Sequence, residues 1–418
     1  MNTEIINTGS ELMLGRVLNT HQQWLCRRLA DLGHATTRQV AVSDAANEIH
    51  QAVRESLSRA DLVITTGGLG PTSDDLTRDL IAELLGKKLV ENPSVLAHIE
   101  SFFKQRNRPR PARTSVETFV PEGATVFLNE YGTAPGLAMK VDPNPFSAAN
   151  KPSWLVMLPG PPRELRPMFD HSVIPFLQRE LAADTFVCRT LRSTGIGESI
   201  VQEMVESHLS PFMKNGLGVG YCARPGAVDV RLTASGSAAR EIVRQGEAIV
   251  QKILGANVYG WDDDELENVV VAGLAERKKT LALAESCTGG LIAHRITNVP
   301  GASEVFQGGV VSYANIAKQT FLGVRPEVLH AEGAVSESVV REMAAGARER
   351  FGADFALAVT GIAGPGGGTP EKPVGTVFIA LATAAGIQVK QNFNPWDRET
   401  FKQVTAQQAL EMLRRELI

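Results

Sequence analysis

Residues 65–75 read TTGGLGPTSDD, and residues 284–290 read AESCTGG. Each is a run of glycines and hydroxyls closing an apolar segment, and each carries groups able to do chemistry. In the first, Gly67, Gly68 and Gly70 permit tight backbone turns, while Asp74 and Asp75 supply adjacent carboxylates. Carboxylates repel phosphate unless a cation lies between, and no GK[ST] follows to bring a lysine. The pattern therefore points to phosphate chemistry through a divalent cation held by a carboxylate. A structural reading stands beside it. Thr72 or Ser73 caps the next helix, Asp75 takes the capping-box position, and both acids complement the helix dipole. Ser10 and Glu11 in TGSELMLG, with Gly160 and Glu164 in PGPPRE, add small, hydroxyl and acidic residues at other strand ends.

In the second run, Ser286, Thr288 and nearby backbone N–H groups fall at a helix start suited to an oxyanion or phosphate. Taken alone, Ser286 reads first as an N-cap. The run is not a GxSxG elbow, and no Ser-His-Asp order is evident. Nothing around Cys287 suggests an activated thiolate, and His294 reads as structural. Further on, GGVVSYANIAKQ brings Tyr313 and Lys318, and VTGIAGPGGG brings Thr360. A serine beside a desolvated lysine is a hydrolytic arrangement in which the lysine serves as general base. A lone Lys318 reads instead as a surface lysine, and GIAGPGGG (361–368) suits a ligand-adjacent or a plain surface loop alike.

These residues need elements to position them. ADLVITTGG is a β-branched run ending in glycines, which predicts a buried strand entering a loop. ANEIHQAVRESLSRA before it and DDLTRDLIAELLG after it show helical spacing, so the first third predicts a mostly parallel sheet flanked by helices. The Pro- and Asn-rich stretch 141–152 predicts a hairpin excursion before WLVMLPGPPREL. Residues 172–260 read as strand-helix, two strands, helix: a small α+β module whose first helix opens at GIGES. A third unit begins near 263.

Composition bounds the partners. The chain has 418 residues, enough for about two or three domains. With 21% charged residues and a net charge of −4, it shows no overall polyanion-binding surface. Cys26, Cys188, Cys222 and Cys287 lack CxxC or CxxH spacing, which argues against a zinc site or disulfide framework and suits a reducing compartment. MNTEIINTGSELMLG lacks a signal-peptide pattern, and no apolar run spans a bilayer, so a cytoplasmic α/β protein is expected.

GSELMLG, TTGGLGPTSDDLTRD, GTAPG (132–136) and LPGPPREL, in that order, resemble the molybdopterin-binding-like domain of the CinA family. The resemblance implies an ADP-ribose pyrophosphatase of three-layer fold over 1–171. Glu11, Asp74 and Asp75 would hold a divalent metal (Mg, Co or Mn, with K+ as an optional second ion), and Ser10, Gly68, Gly70 and Gly160 would contact substrate. One departure is SVETFVPEG, where Glu117 stands in place of an expected amide.

AESCTGG, SYAN(x)3K, AVTGIAGPGGG and PVGTVFIAL likewise resemble the family's C-terminal α/β domain, over 263–418. That similarity implies deamidation of nicotinamide mononucleotide to nicotinic acid mononucleotide and ammonia, without a metal. Carried over by position, Ser286 would be the nucleophile and Lys318 the base. Tyr313 and Thr360 would position or polarise the reacting group, Thr288, Gly289 and Gly361 would contact substrate, and Arg398 would meet the phosphate. Lys402 stands where the family usually shows a second arginine. Residues 172–260 resemble the family's KH-like domain, without a clear RNA-clamping GXXG loop. A homodimer without membrane association is the family expectation. A non-catalytic protein, pterin-binding or linked to competence, is the rival reading.

Overall fold

The computed structural model describes residues 1–181 and 185–418. It divides into two compact units, one formed by Met1–Cys188 with Ala234–Arg240, the other by Arg189–Thr233 with Glu241–Ile418.

The first unit is built on a sheet containing β1 (Thr3–Thr8), β2 (Thr36–Val42) and β3 (Leu62–Thr66). A separate small ribbon pairs β4 (Leu89–Glu91) with β5 (Phe119–Pro121), and the main sheet continues through β6 (Thr125–Phe127), β7 (Gly136–Val141) and β8 (Ser153–Leu158). Its order is β2-β1-β3-β8-β7-β6, with the first four strands parallel and the last two pairings antiparallel. The period-2 alternation of strands sends neighbours to opposite layers. Ile6 and Val63 pack with Val53 and Ile81 on one face, while Ile5 and Ile64 pack with Leu25 and Phe169 on the other. Both faces are covered, as the unbroken apolar run of β3 predicts. The stretch 141–152 is the connection of the antiparallel β7–β8 pair, matching the expected excursion.

The middle module runs β9 (Phe186–Thr194), helix Glu198–Met213, β10 (Gly218–Arg224), β11 (Ala227–Ser235), helix Ala239–Leu254 and β12 (Val258–Trp261). Its sheet has the order β10-β11-β9-β12. The final strand adds one element to the expected strand-helix-strand-strand-helix pattern.

The C-terminal sheet comprises β13 (Leu281–Glu285), β14 (Phe306–Val311), β15 (Phe355–Gly361), β16 (Thr376–Ala382) and β17 (Ile387–Phe393), in the order β14-β13-β15-β16-β17. β13, β14 and β15 are parallel; the remaining pairings are antiparallel. Large and small residues alternate along the central strands. Leu281, Leu283, Leu357 and Val359 face one core, whereas Ala282, Ala284, Ala356 and Ala358 face the helix Glu337–Phe351. Parallel register sets Glu285 beside Val359, so the carboxyl ends of β13 and β15 open together. Crevices of that kind are where open α/β sheets bind ligands.

Candidate active sites

β13 ends at Glu285, and the next residue is Ser286, whose N–H donates to the Val359 carbonyl at 3.0 Å. The helix Asn315–Leu322 carries Lys318, which is 1% exposed. Its Nζ lies 3.1 Å from Ser286 Oγ and 2.7 Å from the Ser312 carbonyl. Burial pulls the Lys318 pKa below the usual lysine value, the nearby Cys287 opposing this weakly. The surface-lysine reading is therefore replaced by a desolvated amine on a buried serine. Burial also pushes the Cys287 thiol up to about 12, which leaves it protonated at neutral pH and unsuited as a nucleophile.

Glu285 corrects the expectation of an anion site at the following helix. Its carboxylate is 1% exposed and accepts from Thr288 Oγ1 (2.7 Å), Gly290 N–H (3.0 Å), Ile292 N–H (3.1 Å) and Ala293 N–H (2.8 Å). The chain's own acid thus fills the N-terminus of Leu291–Thr297, and Ser286 is not its N-cap. Thr288 is fully buried and its hydroxyl donates to Glu285. Gly289 (φ +62°) and Gly290 (φ +93°) sit in left-handed conformations that let the loop wrap this carboxylate.

Near the end of β15, the Thr360 hydroxyl is buried and donates to the Ala334 carbonyl at 2.8 Å. That makes it a brace for the segment before Glu337–Phe351. Gly361 has no room for a side chain, since a Cβ would lie 2.9 Å from the Thr376 carbonyl. Tyr313 is exposed, and its hydroxyl accepts from Arg398 Nη2 at 2.5 Å; Arg398 Nη1 donates to the Gly364 carbonyl at 2.8 Å. Arg398 opens the last helix, Arg398–Glu416, and Lys402 follows one turn later. The Lys402 Nζ is 3.8 Å from where a side chain on Gly289 would begin. Lys402 therefore borders the serine loop, while Arg398, one turn earlier on the same helix face, holds Tyr313 and the Gly364 carbonyl.

In the first unit a cavity of about 690 Å³ opens at the carboxyl ends of β1, β3 and β8. Glu11, Gly68, Gly70, Asp74, Asp75, Gly160 and Glu164 line it, as expected. Ser10 does not: its N–H and hydroxyl both bond Asp44, at 2.8 and 2.9 Å. The helix after the glycine loop starts at Thr77, later than the capping-box reading placed it, and no side chain caps it. Asp75 instead accepts from the N–H (3.0 Å) and hydroxyl of Thr72, closing the turn on itself. Gly68, at φ +68°, is required, as a Cβ would meet Thr77 Oγ1 at 2.1 Å, and a Cβ on Gly70 would displace the Asp75 carboxylate, 2.7 Å away. Among the described residues, no three His, Cys, Asp or Glu side chains are gathered to hold one metal ion.

Two further cavity residues carry perturbed protonation. Glu117 is fully buried; Oε1 accepts from Thr133 Oγ1 at 3.0 Å, and Oε2 has no partner. Burial raises its pKa to about 7, with Asp75 and Glu164 adding to the rise against Thr133 and Arg78. His21 contacts the Gly160 carbonyl through Nε2 at 2.5 Å, and burial lowers its pKa. A lone histidine in NTHQQW gives no sequence signal, because the pairing joins residues 139 apart.

The architecture is thus a multidomain α/β protein: a molybdopterin-binding-like three-layer domain, a KH-like middle domain and a C-terminal domain with a serine–lysine pair at its strand ends. Family models match in the same order, a probable molybdopterin binding domain over 4–179, a damage-inducible protein CinA KH domain over 188–260 and a CinA C-terminal domain over 263–417. The chain is 47% identical over 408 residues to a CinA-like protein of Akkermansia muciniphila, covering 97% of this chain and 95% of that one. It is 42% identical over 421 residues to a putative competence-damage inducible protein of Moorella thermoacetica, covering 100% and 99%. A crystal structure of competence/damage inducible protein CihA from Agrobacterium tumefaciens matches 36% of this chain and 93% of its own at 42% identity, with a TM-score of 0.35. The chain belongs to the CinA family.

Proposed function

We propose that the C-terminal domain deamidates nicotinamide mononucleotide and that the first domain hydrolyses the diphosphate of ADP-ribose. The observation that carries the first activity is the Lys318 Nζ–Ser286 Oγ contact of 3.1 Å with both groups buried. A lysine of lowered pKa is neutral over more of the physiological range, so it can take the serine proton as Oγ attacks the amide carbon. The resulting ammonium returns that proton to the departing nitrogen, releasing ammonia and leaving a nicotinoyl ester on Ser286. Water, deprotonated by the same amine, adds to the ester carbon; the proton then goes back to Oγ as the acid leaves. Arg398 and Lys402 supply the positive charge for the nucleotide phosphate, since Glu285 already occupies the helix start.

In the first domain, the cavity's glycines admit close backbone approach, and Asp74 is an exposed carboxylate on its wall. With Asp75 bonded to Thr72 and no three-ligand cluster among the described residues, a divalent cation would rely on the substrate for part of its coordination. Glu11, Asp74 and the unpartnered Oε2 of Glu117 are among the cavity carboxylates that would hold it. Such an ion would neutralise charge on the diphosphate.

Incubation of the full chain with nicotinamide mononucleotide, in chelator, should yield ammonia and nicotinic acid mononucleotide in equal amounts. No release under those conditions overturns the deamidase reading and favours a ligand-binding protein.

A further inference from the structure

A cavity of about 830 Å³ in the second unit lies away from Ser286, on the other side of the last helix. Thr400, Val404, Gln408 and Glu411 recur at helical spacing along its wall, while Arg398 and Lys402 point roughly half a turn away, toward Tyr313 and Gly289. The opposite wall is the Gly195–Gly197 loop and the turn at Arg224–Ala227 of the middle module. The floor is Ile379 with its cross-strand partner Lys390, and then Asn392 on the same face of β17.

The cavity offers a flat apolar surface and an excess of hydrogen-bond donors. Trp396, 57% exposed, lines the cavity together with Ile196, Ile379 and Val404. The Lys390 ammonium and the Asn392 amide have no hydrogen-bond or ion-pair partner among the described residues. Arg224 is tied to Glu265 and Asp229, yet its Nε is buried without an acceptor. The first turn of the 16-residue helix Glu198–Met213, entered from this loop, has no side-chain cap. Of the acids on the wall, Glu411 is neutralised by Arg414 and Arg415, and Glu198 stands exposed at the rim. Asn394 and Gln408 satisfy each other.

A ligand matching this inventory has an aromatic ring, hydrogen-bond acceptors and a compact anion, at a size the volume accommodates. We propose that the cavity between the middle module and the last helix binds a nucleoside monophosphate, its base against Trp396 and its phosphate on Lys390 and Arg224. This site is separate from the serine–lysine pair and does not depend on the deamidase reading.

Calorimetric titration of the full chain with AMP tests it, alongside Trp396→Ala and Lys390→Glu and with adenosine and inorganic phosphate as separate probes. Binding of AMP elsewhere in the chain would survive both substitutions. The expected result is a saturable component weakened about tenfold or more in each variant, with adenosine and phosphate each binding less tightly than AMP. Melting curves of both variants should match the parent's, which shows that they fold. An AMP isotherm unchanged by the substitutions overturns the proposal. So does inorganic phosphate binding as tightly as AMP and indifferent to Trp396→Ala, which would mark a bare anion site.

Discussion

Lys318 Nζ lies 3.1 Å from Ser286 Oγ although the residues are 32 positions apart, and the Ser312 carbonyl holds the amine from the other side. Because burial lowers the lysine pKa, the active neutral form gains population as pH rises through that lowered value. Deamidation kcat/KM should therefore climb with pH and level off below the ordinary lysine range. Lys318→Arg, which cannot lose its proton, should fall by at least about 100-fold across the profile. A parent profile flat from acid to alkaline pH would count against lysine as the base.

Glu285 receives four hydrogen bonds from the loop and helix that follow the nucleophile. Glu285→Ala would leave those donors buried without an acceptor, at a cost of about 3 kcal/mol, and Glu285→Gln should recover part of it. Denaturant unfolding of both variants measures the difference.

Arg398 bonds Tyr313 Oη, and Lys402 lies against Gly289 of the serine loop. If these cations receive the substrate phosphate, Arg398→Ala and Lys402→Ala should raise KM about tenfold with a smaller change in kcat. Nicotinamide riboside, which lacks the phosphate, should be indifferent to either change. Steady-state kinetics with the two substrates separates phosphate binding from general damage.

Glu117 makes stability depend on pH in a defined direction. Its folded pKa, about 7, is raised above the ordinary 4.5, so the folded state holds a proton that the unfolded chain has lost. Its contribution is fully present below about pH 4.5 and is lost as pH rises through 7. Glu117→Gln, which cannot ionise, should stabilise the first domain at pH 8, by up to about 3 kcal/mol, and make little difference at pH 4. Melting curves at the two pH values check the sign.

Asp74 and Asp75 are expected to separate. ADP-ribose hydrolysis should need a divalent ion and drop by about tenfold or more in Asp74→Ala. Asp75→Ala should also lower the melting temperature, because it loses both contacts to Thr72.

Much of this was legible in the residues themselves. β-branched runs ending in glycine located β3 and its loop, and the alternation of helices around it gave a mainly parallel sheet, because both signals are local. Ser286 and Lys318 pair through the family resemblance, since alone they read as an N-cap and a surface lysine. Glu285 was hidden, since a residue closing an apolar strand gives no sign that its carboxylate turns into the next helix. The same holds for Ser10, bonded to Asp44 across 34 positions, and for the bond from the Thr288 hydroxyl to Glu285. Asp75 kept its link to Thr72 but closes a turn before the helix, because Thr77, and not Ser73, begins it.

The central claim is that Ser286 attacks the amide with Lys318 as its base. Ammonia release from nicotinamide mononucleotide by the parent and by Ser286→Ala tests it most directly, with matched melting curves. The account predicts that the parent turns over and that Ser286→Ala falls by about 1,000-fold or more with its fold intact. Ammonia release by Ser286→Ala at the parent's rate would contradict it.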